Sequence, residues 1–243
     1  MESTFRIGRI FGIDIRAKSG ALILLLIVMY LAINALYPEM LPGLSRNMYI
    51  FLGLLTTVLL YISLLTHELA HAIVARKNGI EIVGVVLMFV GAAAIIKEEL
   101  KTPQAEFKMA TAGPLASIFM AFVFMAIAIF IPDTLLLPKE MFVYLTVINL
   151  VLAAFNLLPG FPLDGGRILR SIFWLYTDNI DKSTRMAVRV SLFIALGLGI
   201  FGLIIAFNGN FFSGLWFVFL SNMLFGMSKQ TSEMLEIKEQ TKK

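Results

Sequence analysis

From Asn47 to Ala75 the chain is one apolar stretch whose only charge is Glu68, held in the run His67-Glu68-Leu69-Ala70-His71. A segment of that length without other charge suits the interior of a bilayer. Runs free of charge recur at Ser19–Tyr37, Met109–Pro132, Met141–Leu163 and Val190–Ser228. The last is twice the length of a span, and Asn208-Gly209-Asn210 divides it into halves that each rise about 27 Å as helix. The sequence therefore predicts an all-α polytopic membrane protein with six transmembrane helices. Composition agrees, with 59% hydrophobic and only 15% charged residues against about a quarter charged in soluble domains.

Basic residues test this count independently, because short cytoplasmic connections accumulate Lys and Arg. With six spans, 18 of the 20 basic residues fall in the N-terminal segment, the second and fourth connections and the tail, leaving only Arg46 and Lys139 for the other side. This predicts a multi-pass cell-membrane protein with both termini cytoplasmic. The net charge of +4 is spread over four segments, so nucleic acid is not an expected partner. The chain has no cysteine, which excludes disulfides and thiolate metal ligands. Ser19–Tyr37 follows a basic N-terminus but is longer than a signal-peptide core, and it reads as a retained span.

Between the second and third spans, Ile82–Ile96 is apolar but too short for a comfortable span, and crossing would reverse the sidedness of everything after it, so it is expected to enter and leave on one side. Its β-branched residues and small Gly91-Ala92-Ala93-Ala94 patch predict a re-entrant or membrane-associated β-hairpin. Val90, Gly91, Ala92 and Ala93 are the candidate substrate-binding positions, since an exposed strand edge pairs with an extended peptide through main-chain bonds. A surface hairpin without such a role is the plainer alternative. Phe5–Arg16 reads as an interfacial strand or amphipathic segment, and Glu98–Lys108 and Asp178–Arg189 as solvated charged connections. One membrane domain over residues 1–228 with a short charged cytoplasmic tail over 229–243 is expected.

An ionisable side chain at the centre of a bilayer costs at least ~2.5 kcal/mol, so those present imply a task. Residues i and i+4 share one helical face, so His67 and His71 can converge on one ion while Glu68 stands beside it. A catalytic zinc takes three protein ligands and keeps one position open. With two histidines and no cysteine in the chain, the third ligand must be a carboxylate, and Asp164 is the candidate. It lies in Asn156-Leu157-Leu158-Pro159-Gly160-Phe161-Pro162-Leu163-Asp164-Gly165-Gly166, where prolines and glycines interrupt the fourth span. His71 precedes Arg76 by five residues and Asp164 precedes Arg167 by three, so both lie at similar shallow depth. An ion pair of Asp164 with Arg167 or Arg170 is the alternative. Glu68 would take a proton from the attacking water. Asn149 and Asn156 either bond a neighbouring helix or hold a substrate carbonyl oxygen, and Asn156, which opens the broken segment, is favoured for the latter.

His67-Glu68-Leu69-Ala70-His71 in the second span, Ala112-Gly113-Pro114-Leu115-Ala116-Ser117 in the third, and Asn156, Pro159 and Leu163-Asp164-Gly165-Gly166 in the fourth resemble the site-2 protease family of intramembrane zinc metalloproteases. The resemblance covers most of residues 5–228 and is nearest the prokaryotic subfamily with six spans and no PDZ insert. It implies an endopeptidase that cleaves transmembrane or membrane-anchored substrates, often regulators of gene expression. It also implies one zinc ion per chain on His67, His71 and Asp164, Glu68 as base, and Asn156 as the substrate-positioning residue. Two features of that subfamily are missing from this sequence: paired CBS modules after the last span, and a proline before the small residues of the hairpin. A metal-ion or solute transporter using the same polar residues is the alternative from another class, and a silent membrane scaffold is a third. No inverted repeat supports transport, and a tight three-ligand site suits ion release poorly.

Overall fold

The computed structural model describes residues 4–87, 92–96 and 101–241. Six helices in it are long and apolar enough to cross a membrane: Ser19–Met40, Arg46–Lys77, Pro103–Phe130, Leu136–Asn156, Ile180–Phe207 and Phe211–Lys238. They are the six expected from the uncharged runs, and the last two meet at Asn208–Asn210. The chain divides into two compact units, Met1–Glu99 with Ala112–Ala153, and Leu100–Thr111 with Ala154–Lys243.

The first unit opens on strands β1 (Thr4–Ile10) and β2 (Ile13–Lys18). The segment expected to be a single strand or amphipathic stretch is thus a hairpin, turned at Phe11 and Gly12, both with positive φ. Alternation explains β2: Ile13, Ile15 and Ala17 are buried while Asp14, Arg16 and Lys18 are not. Asp14 pairs with Arg6 at 2.8 Å. The first span follows as α1 (Ser19–Leu31), a π-helical turn (Ala32–Leu36) and α2 (Tyr37–Met40). Buried Tyr37 bonds through its hydroxyl to Thr56.

Helix α3 (Arg46–Lys77) carries the histidines. Ser45 caps its N-terminus by accepting from the Met48 amide, and Arg76 and Lys77 complement the dipole at its C-terminus. Gly79, with positive φ, then releases the chain into β3 (Ile82–Leu87) and β4 (Ala92–Ile96). The four strands form one sheet in the order β1-β2-β3-β4, with β2 and β3 parallel and the outer pairs antiparallel. Ile13, Ile15 and Val85 of this sheet pack on Leu69 and Ala72 of α3. Because Leu69 lies within the motif itself, the sheet braces the turn of helix that presents His67 and His71.

The second unit contains the start of α4 (Pro103–Phe130), the end of α5 (Leu136–Asn156), and helices α6 (Asp164–Thr177), α7 (Ile180–Phe207) and α8 (Phe211–Thr241). Two segments expected as solvated connections are helical here. The Glu98–Lys108 segment enters α4 at Pro103, and Glu106 is fully buried, paired with Arg170 of α6. The Asp178–Arg189 segment enters α7 at Ile180 and buries Ser183, Thr184, Ala187 and Val188. Helix α8 continues through the charged C-terminal stretch, where Lys238 lies 3.3 Å from Asp181 of α7. Helices α7 and α8 approach closely at Gly202 and Gly214, where a Cβ on either would meet the other's backbone.

Candidate metal centre

In the first unit, α3 places His67 and His71 one turn apart, both buried, with their Nε2 atoms 3.2 Å apart. Two nitrogens at zinc's usual ~2.0–2.1 Å, separated by that distance, subtend an angle of about 100°, close to tetrahedral. The space at those nitrogens is kept open by Gly113 of α4. A Cβ there would overlap His71 Nε2 and lie 2.6 Å from His67 Nε2. On the far side of the His67 ring, the Ser117 hydroxyl stands 2.9 Å from Nδ1. Two convergent imidazoles over a cradle that a single methyl would fill are a donor set that fits zinc. Glu68, between them in sequence, is half-buried.

In the second unit, the interrupted helix ends at Asn156, and irregular backbone runs from Leu157 to Leu163 before α6 begins at Asp164. Phe161 anchors this segment. Its amide donates to Ser191 Oγ at 3.0 Å, its carbonyl accepts from Ser228 Oγ at 3.3 Å, and its ring packs on Ala187 and Val188. The Phe161–Pro162 bond is cis. Gly165 and Gly166 fold the first turn of α6 back on the loop, since a Cβ at Gly165 would collide with the Leu157 and Leu158 carbonyls. Asp164, only 9% exposed, therefore sits in the first turn of α6, where the helix dipole favours its carboxylate.

Arg170, one of the two arginines considered as ion-pair partners of Asp164, is engaged elsewhere. Its Nε donates to Glu106 at 2.8 Å and its guanidinium lies 5.4 Å from the centre of the Phe161 ring. Glu106 Oε2 is buried with no hydrogen-bond partner among the described residues. The sequence could not announce this pair, because Glu106 and Arg170 are 64 residues apart and Glu106 lies in a segment whose charge looks solvated.

Asn149 is fully buried; its Nδ2 donates to the Leu145 carbonyl one turn back, and its Oδ1 is buried without a partner among the described residues. An unpartnered acceptor suits a substrate N–H better than a carbonyl oxygen gathering negative charge. Asn156 ends α5, half-buried. Ala93 and Ala92 of β4 face Val86 and Leu87 in the β3–β4 register. Val90 and Gly91, the other two proposed hairpin contacts, lie outside the described residues. Ser117, part of a recognised motif that gave it no role, is the residue sequence reasoning missed. The available signal was its place four residues after Gly113, on one face of α4.

The sequence profile of peptidase family M50 matches residues 55–137 and 135–198. Rip3 of Mycobacterium tuberculosis is 33% identical over 232 residues, covering 95% of this chain and 59% of that protein. The zinc metalloprotease MJ0392 of Methanocaldococcus jannaschii is 32% identical over 204 residues, covering 84% of this chain and 55% of that one. The chain thus spans less than two thirds of the length of these curated relatives. Among solved structures, the site-2 protease from Methanocaldococcus jannaschii superposes with a TM-score of 0.60 at 27% identity, covering 95% of both chains.

Proposed function

This chain belongs to peptidase family M50, and from that membership we propose that it is an intramembrane zinc endopeptidase that hydrolyses a peptide bond in or near the membrane segment of a transmembrane or membrane-anchored substrate. The observation that carries the proposal is the convergence of two buried imidazole nitrogens in a membrane-spanning helix, over space cleared by Gly113. Residues 1–228 act as one protease domain. His67, His71 and Asp164 hold one zinc ion per chain, imidazole nitrogens and a carboxylate oxygen being ordinary zinc donors. When bound, zinc polarises the scissile carbonyl and acidifies water near it.

Glu68 accepts a proton from the attacking water as its oxygen bonds to the carbonyl carbon. It returns that proton to the amide nitrogen as the C–N bond breaks, leaving a carboxylate and an amine. The Asn156 amide donates to the carbonyl oxygen as charge gathers there. Asn149 offers an acceptor to a substrate N–H. The test is cleavage of a transmembrane peptide in liposomes by zinc-loaded protein, with Glu68→Gln as the matched control.

A helical peptide bond hides its carbonyl in i to i−4 bonding, so the substrate must unwind before attack. The support for strand pairing at this step is that β4 ends the described sheet, beside α3. Outward-facing amides alternate along an antiparallel edge strand, so one of Ala93→Pro and Ala94→Pro removes a donor that faces a docked peptide. That variant is expected to lose roughly threefold to tenfold in kcat/KM, the worth of one hydrogen bond. Wild-type turnover in both would reject strand pairing.

The protein is a multi-pass membrane protein, and the distribution of 18 of 20 basic residues supports cytoplasmic termini. Since the chain lacks cysteine, single substitutions report sidedness directly. Thr134→Cys is expected to react with an impermeant maleimide on intact cells and Lys182→Cys only after lysis. The reverse pattern would invert the topology.

A further inference from the structure

We propose that Ser117 is a positioning residue that fixes which ring nitrogen His67 turns toward the metal, while Gly113, one turn earlier on α4, keeps that nitrogen's surroundings clear. The inference rests on the reading of His67 and His71 as zinc ligands. A neutral imidazole carries its proton on one nitrogen and a lone pair on the other, and only the lone pair can bind a cation. Here the two nitrogens of His67 face different things. Nε2 faces His71 Nε2 at 3.2 Å and the space over Gly113; Nδ1 faces Ser117 Oγ at 2.9 Å.

Among the described residues of α3 and α4, the Ser117 hydroxyl is one of two buried hydroxyls that bond a side chain on another helix, the other being Thr56 with Tyr37. Thr57, Ser63 and Thr66 on α3, and Thr111 on α4, each donate to the carbonyl one turn back on their own helix. Ser117, fully buried, instead reaches across to a side chain of another helix. If Nδ1–H donates to Ser117 Oγ, the lone pair sits on Nε2 and points where an ion is shared with His71. The opposite arrangement would aim an N–H at the cation. That hydrogen bond also restrains the plane of the His67 ring, which limits the reordering the ligand undergoes when the ion arrives.

The chain has only two histidines, so histidine-selective 15N labelling gives four ring nitrogens and an uncrowded spectrum. In the zinc-loaded wild type, one ring should show a slowly exchanging Nδ1–H and a zinc-shifted Nε2. In Ser117→Ala, zinc affinity measured by competition with a chromophoric chelator should fall roughly 10–100-fold, the usual cost of losing a hydrogen-bond partner behind a ligand, and that Nδ1–H should exchange faster. Thr57→Ala, which removes another fully buried hydroxyl, on the histidine-bearing helix itself, should leave zinc affinity unchanged. The proposal is overturned if loaded wild type binds through His67 Nδ1, if Ser117→Ala keeps its affinity and its exchange rate, or if both alanine variants weaken zinc alike. A wild type that takes up no zinc would end the metal reading as well, which separates the two failures. Should Ser117→Ala not fold, the wild-type spectrum decides alone.

Discussion

Glu68→Gln is expected to keep its zinc and to cleave a transmembrane peptide at least 10²–10⁴-fold more slowly, the range that a positioned general base contributes. Glutamine preserves the size and hydrogen-bonding reach of the side chain while removing its ability to accept a proton. The donor set is untouched, because the convergent atoms on α3 belong to His67 and His71. Zinc content and thermal stability should therefore match wild type, and added zinc should restore nothing. Residual cleavage within about tenfold of wild type would remove Glu68 from the chemistry. Loss of the metal would make it a ligand instead.

Asp164→Asn should fail differently. The amide oxygen is a neutral, weaker ligand than a carboxylate, and the change also removes the negative charge that offsets the ion in a low-dielectric site. Zinc affinity is expected to fall by more than the roughly 100-fold upper range seen for residues behind the ligands. Cleavage at limiting zinc should fall with it and recover in part as zinc is raised. That recovery distinguishes a ligand defect from the base defect of Glu68→Gln. The buried first turn of α6, braced through Phe161 by Ser191 and Ser228, accommodates asparagine without a change of size. Wild-type zinc affinity in Asp164→Asn would require another third ligand.

What the sequence conveyed follows from the range over which each signal acts. The spans are local: a run without charge has one place to go, and Asn208-Gly209-Asn210 marks the break between α7 and α8 where the helices part. The histidine pair is equally local, since i and i+4 share a face by helix geometry alone. The sheet is not. Strand β2 pairs in parallel with β3 across the entire length of α3, joining Ile15 to Val85, and nothing in Phe5–Arg16 specifies a partner seventy residues away. Glu106 misled for the same reason: its charge suggested water, but Arg170 supplies the compensation from another helix. Ser117 stood in plain view as a small polar residue in an apolar run, and only the packing of α4 against α3 gives its hydroxyl an address.

The buried Glu106–Arg170 pair also bears on how the protein is made. A ribosome delivers Glu106 at the start of α4 well before Arg170 emerges in α6, and the two spans of α4 and α5 are synthesised in the interval. Until Arg170 is made, burying that carboxylate would leave its charge uncompensated, which is costly. The compensated burial of Glu106 thus requires α6, so this corner of the molecule can close only after α3, with its histidines, has already been synthesised.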